Sequence, residues 1–270
     1  MRPTCWRLAA GLAAVAAAAV WAGTASAATL DLTTAGSSGS INGAIFQQTD
    51  PQPTGTGVID SFLRLQNNGI EQGYNTDARP VQFDEKTDPN FTRSLLLSDV
   101  PIVNINGVDY RQFLLDINES NGQGRELLSL DQLQIFQATS PTLNNYDTSS
   151  GQLVGATKIY DLDAGGDNSV LLNYDLNHGS GSGDMFAYIP NSLFDPSTPY
   201  VYLYSRFGED AAAEGTADAG FEEWAVLQGQ TPPNNEIPGP ATLAFAVLGC
   251  GLGVVGYAAR ARLRAPKATA

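Results

Sequence analysis

Residues 94–116 read SLLLSDVPIVNINGVDYRQFLLD. Two apolar bursts flank Asn106-Gly107, a dipeptide that signals a two-residue hairpin turn because both of its residues accept a positive φ at low cost. The bursts predict strands over Ser94–Val103 and Val108–Asp116. The same grammar runs through the rest of the chain, with short apolar segments separated by Gly, Asn, Asp, Ser and Pro. It predicts further strands over Ile41–Gln47, Ser61–Leu65, Leu127–Phe136, Gly155–Tyr160, Ser169–Tyr174, Met185–Ile189, Tyr200–Phe207 and Phe221–Leu227. No long stretch repeats with the helical period. Within Leu127–Phe136 the apolar phase shifts between Leu130 and Leu133, which predicts a bulge at Asp131-Gln132. Ten short strands bury their apolar sides only if two sheets face each other, so the fold class is all-β, a β-sandwich of jelly-roll type over residues 28–229. The Gly-, Ser-, Thr-, Gln- and Pro-rich stretch Thr33–Thr56 is expected to dock loosely. Residues 230–240, with Pro232-Pro233 and Asn234-Asn235, form a linker.

Both ends of the chain differ in kind from this body. Arg2 and Arg7 precede an Ala-rich apolar run, Leu8–Val20, and Ala25-Ser26-Ala27 has the form of a signal-peptidase site, so residues 1–27 are expected to be a signal peptide cleaved after Ala27. At the other end Pro238-Gly239-Pro240 opens an uncharged run of nineteen residues, Ala241–Ala259, followed by Arg260, Arg262, Arg264 and Lys267. As a helix the run would be about 28 Å long, close to the hydrocarbon thickness of a bilayer. The cations after it place residues 260–270 on the cytoplasmic side.

This order of a proline motif, an apolar helix and a basic tail resembles the exosortase-sorted, PEP-CTERM class of Gram-negative surface proteins. Pro238, Pro240 and the arginine cluster match, while Gly239 stands where that class usually has Glu. The resemblance covers about the last 35 residues. It implies an exosortase-type processing enzyme as a partner, transient membrane anchoring, and delivery to the cell surface or extracellular matrix.

Charge narrows the functions open to the body. All 28 acidic residues but only eight Lys and Arg lie between Ala28 and Pro240, a balance of −20. Nucleic acid is excluded as a partner, because its recognition needs cations against phosphate. A hydrated polysaccharide layer or divalent cations suit such a surface better. The two cysteines, Cys5 and Cys250, lie outside the body, which therefore holds together without a disulfide.

Three segments repeat the form Asp, aliphatic, Asp or Asn, then small residues: Asp116-Ile117-Asn118, Asp161-Leu162-Asp163 and Asp175-Leu176-Asn177. Residues two apart on an extended segment share a face, so each pair aims two oxygen side chains the same way. With Asp167 and Asp184 added, these are candidate Ca²⁺ ligands; the competing reading is that they are turn formers whose side chains bond nearby backbone. Tyr200, Tyr202 and Tyr204 share one strand face and form a candidate glycan platform, provided that the aliphatic face is the core. Catalytic signals are sparse. The one histidine, His178, lies in a glycine-rich loop, and Gly179-Ser180-Gly181-Ser182-Gly183 is not a nucleophile elbow. Glu222-Glu223 beside Trp224 is the acid pair to examine for glycoside cleavage, although neighbours on a strand face opposite sides. The expectation is an exported structural or adhesive component of the envelope or exopolysaccharide layer. The alternatives are a secreted polysaccharide-active enzyme using paired carboxylates and a permanently anchored single-pass adhesin.

Overall fold

The computed structural model describes residues 27–49, 59–120, 122, 125–177, 183–209, 215–218 and 220–227. The expected signal peptide up to Ser26, the residues of the loop around His178, the linker, the Pro-Gly-Pro motif, the apolar run and the basic tail lie outside them. No helix among the described residues is long and apolar enough to cross a membrane.

The described residues form strands β1 (Thr29–Asp31), β2 (Ser38–Ile41), β3 (Ala44–Gln48), β4 (Ile59–Leu65), β5 (Glu71–Tyr74), β6 (Leu95–Leu96), β7 (Ile102–Ile105) and β8 (Val108–Asp116). They continue with β9 (Leu127–Ala138), β10 (Tyr146–Asp147), β11 (Gln152–Leu153), β12 (Thr157–Asp161), β13 (Ser169–Asn173), β14 (Met185–Pro190), β15 (Tyr200–Phe207) and β16 (Glu222–Leu227). Only short 3₁₀ turns accompany them. Seven strands make the first sheet in the order β1-β13-β9-β15-β5, with β12 also on β9 and β6 also on β15. Seven more make the second, β2-β3-β14-β8-β16-β4, with β7 also on β8. All pairings are antiparallel except β1 with β13.

The chain passes between sheets in a regular way. The pairs β4–β5, β15–β16, β8–β9 and β13–β14 each place one strand in either sheet, and in that order each pair hydrogen-bonds to the next in both. The described residues of the four links, 66–70, 117–120 with 122 and 125–126, 174–177 with 183–184, and 208–209 with 215–218 and 220–221, therefore gather at one end of the molecule. Between the sheets lies a core that includes Phe46, Phe62, Phe113, Leu115 and Trp224 from the second sheet and Leu130, Leu133, Ile135, Val201, Leu203 and Phe207 from the first. The Trp224 indole N–H crosses this core to donate to Ser205 Oγ at 3.0 Å.

Several expectations change in detail. Ile41–Gln47 is two strands, not one, turned by Asn42 and Gly43 at φ of 51° and 84°; Asn106 and Gly107 repeat the same geometry at 52° and 86°. Ser94–Val103 is broken by a 3₁₀ turn at Leu97–Asp99. Of the stretch Thr33–Thr56, the described part up to Thr49 is not loosely docked, because β2 and β3 extend the second sheet and bury Ile41 and Phe46. The bulge falls where expected: Arg206 pairs with Gln132 and Phe207 with Leu130, leaving Asp131 as the extra residue.

Candidate functional site

The outer face of the first sheet is not bare. Residues 75–87 and 139–156 fold over it, and beneath them Tyr74, Phe136, Tyr146, Leu153, Tyr202 and Tyr204 form a second buried layer. This corrects the glycan platform. Tyr202 and Tyr204 are each 1% exposed, and Tyr200 is half-buried at the edge of the same layer, so no row of sugar-stacking rings reaches solvent. Both faces of β15 are apolar enough to be buried, and the face of the aliphatic residues is core without leaving the other face wet.

Beside this layer the cover is incomplete, and a cleft of about 250 Å³ remains. Strand register builds its floor in rows. Asp161 pairs with Gln134, Gln134 with Tyr204, and Tyr204 with Tyr74; in the next row Gln132 pairs with Arg206 and Arg206 with Gln72. Tyr146, Thr148, Ser150 and Gly151 of the β10–β11 hairpin form the opposite wall. The Tyr146 ring lies flat on Tyr204 with centroids 4.1 Å apart, so the two tyrosines present polar edges to the cleft. Tyr146 Oη donates to Gln134 Oε1 and Tyr204 Oη to Gln72 Oε1, both at 2.8 Å. Burial raises both phenols, Tyr204 to about 12, so they remain neutral donors.

The charges of the cleft are balanced locally. Lys158 Nζ lies 2.7 Å from Asp161 Oδ2, and Arg206 Nη1 lies 2.9 Å from Glu209 Oε2. Asp163 is raised to about 6, first by burial and then by the like charges of Asp161, Asp167 and Asp131, against the Asn168 N–H that bonds its carboxylate. A neighbouring cavity of about 300 Å³ is bordered by Asp131, Asp167 and Glu209.

The candidate calcium ligands fall in two places. Asp161, Asp163 and Asp167 occupy the turn between β12 and β13, where Asp161 Oδ1 accepts the Asp163 N–H at 3.0 Å and Asp163 Oδ1 accepts the Asn168 N–H at 2.9 Å. Asp116, Asn118, Asp175, Asn177 and Asp184 lie at the crossing end. There Asp184 Oδ2 accepts the Ile117 N–H at 2.8 Å, and the Asn177 amide donates to the Gly183 carbonyl. Asp175 N–H donates to Asn173 Oδ1 at 2.8 Å. Among the described residues no group of three or more His, Cys, Asp or Glu is arranged to hold a metal ion. These contacts are the turn chemistry that competes with calcium.

Glu222 and Glu223 do not act as a pair, because they leave β16 on opposite sides. Arg64 Nε and Nη2 hold Glu223 Oε2 at 3.0 and 2.5 Å, and the same guanidinium lies over the Phe91 and Phe221 rings. Glu222 instead meets Glu71. Both are 1% exposed, their carboxyl groups lie within hydrogen-bonding reach of each other, and the Oε1 of each has no other donor among the described residues. Two carboxylates cannot bond without a proton between them, and burial raises both, Glu222 well above its ordinary range. Direct contact leaves no room for the separation of about 5–10 Å that glycoside cleavage uses.

Asp161 and Asp163, read in the sequence as calcium ligands, and Tyr204, read as part of a glycan platform, line the cleft, whereas no role was read in the sequence for Gln72, Gln132, Gln134, Tyr146, Lys158 and Arg206. The alternating Gln132 and Gln134 on a strand whose other face is core were a signal that could have been read. No family model matches the chain, and no match was found among curated proteins or solved structures.

Proposed function

We propose that this chain is an exported surface or extracellular-matrix protein, delivered by its N-terminal signal and its C-terminal sorting sequence, with a structural or adhesive role in a polysaccharide-rich envelope. The observation that carries the reading is a body of two packed sheets lying between two terminal sequences of a different kind. One is Arg-flanked and apolar and ends on Ala25-Ser26-Ala27. The other runs from Pro238-Gly239-Pro240 through Ala241–Ala259 to Arg260, Arg262 and Arg264. The paired crossings support a jelly-roll connectivity for the body. An acidic surface without a disulfide suits a hydrated matrix, where its charge keeps it soluble. Intact-mass analysis of protein from the native host should lack residues 1–27 and a C-terminal piece beginning near Pro238. Retention of Arg260–Ala270 would overturn the processing and favour the permanently anchored adhesin.

A second reading, polysaccharide cleavage by paired carboxylates, moves from Glu222-Glu223 to Asp161 and Asp163. These share the open cleft, and their surroundings differ: one is ion-paired with Lys158 and the other is raised to about 6. Release of new reducing ends from a polysaccharide, lost in Asp163→Asn, would establish it.

A further inference from the structure

The cleft over the first sheet has no role in the sorting reading, and its chemistry is selective. Its floor and wall bring together side-chain amides from Gln72, Gln132 and Gln134 and hydroxyls from Tyr146, Thr148 and Ser150. Donors and acceptors are thus mixed at close spacing, the complement that a ring carrying several hydroxyls requires. The Gln132 amide makes no hydrogen bond among the described residues, although its neighbours in the rows are engaged. An apolar ligand finds little here, since the two tyrosine faces are spent on each other. An anionic ligand such as a phosphate meets Asp161 and Asp163 in the cleft and Asp131, Asp167 and Glu209 beside it, while Lys158 and Arg206 are already paired. The volume, about 250 Å³, lies just below the roughly 300–1,000 Å³ typical of small-molecule sites, which suits one or two sugar rings. The cleft is partly open to solvent, so a saccharide can enter it from the surface.

We propose that this cleft is a binding site for neutral saccharide chains, gripping one or two pyranose rings through the side-chain amide of Gln132, the Thr148 hydroxyl and the Arg206 N–H groups that its pair with Glu209 leaves over. Ring stacking contributes little, so affinity comes from hydrogen bonds in a wet site and is modest. The inference is independent of how the chain is sorted.

The test uses the full chain in a zwitterionic detergent, because sugar-headed detergents would compete. Cellohexaose, maltohexaose, mannohexaose and a hexamer of galacturonate are titrated separately by calorimetry at low and at high NaCl. At least one neutral oligosaccharide should bind saturably, with an affinity unchanged by salt. Gln132→Ala and Arg206→Lys should each weaken it about fivefold, the loss expected for one or two hydrogen bonds. Thr148→Trp, at an exposed position on the wall, should block it without altering the melting temperature. Arg206→Lys keeps the charge, and Thr148→Trp leaves the sheet untouched, so loss of binding in a folded variant is distinguishable from unfolding. Absence of binding by every neutral member overturns the proposal. So does binding that survives all three substitutions, and so does tighter, salt-sensitive binding of the galacturonate hexamer.

Discussion

Glu222 and Glu71 show how one strand position can set the pH response of the whole fold. Their contact requires a proton, which the folded protein holds at a pH where an exposed glutamate would have lost it. A raised folded pKa contributes stability that is complete below the unfolded value, near 4.5, and is lost as pH rises through the folded one. Asp163 acts in the same direction over the window between about 4 and about 6. Asp31, Asp147 and Asp195 act in the opposite direction. Hydrogen bonds from Thr33, Ser149 and Ser197 hold them below the ordinary carboxylate value of 3.8, so their contribution is present above it and lost as pH falls. The melting temperature should therefore be highest near about pH 4 and decline as pH rises through about 6 toward about 8. Glu222→Gln replaces the shared proton with an amide donor of the same shape, and scanning calorimetry should find at least half of that decline removed. An unchanged decline would mean that Glu71 and Glu222 do not share a proton. Nothing in the sequence announces this pair: the partners are 151 positions apart and meet only because β5 and β16 both begin at the crossing end.

At the scale of elements, turn chemistry was the most legible feature and sheet coverage the least. Val108–Asp116 and Tyr200–Phe207 are strands over the residues their pattern predicts, and the broken phase after Leu130 is the Asp131 bulge. Asn42-Gly43 escaped notice because Ile41, Ala44, Ile45 and Phe46 surround it so closely that the apolar run reads through the turn. The two glycines at hairpin turns and those at the crossings should respond differently to a methyl group. At Gly107, with φ of 86° and open space around the position of a Cβ, alanine meets backbone strain alone and should cost about 1–2 kcal/mol. At Gly208, with φ of 82°, the Cβ would also run into the Gly69 carbonyl oxygen and lie 2.9 Å from the Ala217 nitrogen, where a bridge ties the link 208–221 to residue 69. Gly208→Ala should cost about 3 kcal/mol or more, because neither backbone atom can retreat without breaking that bridge. Urea denaturation of the two variants checks the order, and equal losses would mean that the 208–221 link yields freely. The tyrosine assignment failed for a related reason. Alternation along β15 separates two faces, but it does not say that one of them is wet, and here residues 75–87 and 139–156 cover the second.

At the scale of the molecule, the acidic balance of −20 between Ala28 and Pro240 must be carried by a sandwich whose described ion pairs involve only Arg64, Arg93, Lys158 and Arg206. Self-repulsion of this size favours expansion, and salt relieves it once the Debye length falls to about 10 Å near 0.1 M. The melting temperature should rise when NaCl goes from about 0.01 to about 0.3 M, a range over which that length shrinks from roughly 30 Å to well below 10 Å. Calcium poses the sharper question, because three Asp-containing turns in so acidic a chain invite it. The carboxylate oxygens of Asp161 and Asp163 already accept backbone N–H groups at 3.0 and 2.9 Å, and Asp184 accepts one at 2.8 Å. These bonds spend part of each carboxylate on its turn, and among the described residues no group of three or more acids is arranged around a shared cation. CaCl₂ should accordingly raise the melting temperature no more than NaCl or MgCl₂ of equal ionic strength. A ligand specific to the folded state would add RT ln(1 + [L]/Kd), about 2.7 kcal/mol at a hundredfold excess over Kd, which is large enough to be unmistakable in the same scan. If calcium gives that excess and Asp161→Asn with Asp163→Asn abolishes it, the turn between β12 and β13 opens to hold the ion. If the three salts coincide, the acids of these turns serve the backbone, and the charge of the body serves its hydration.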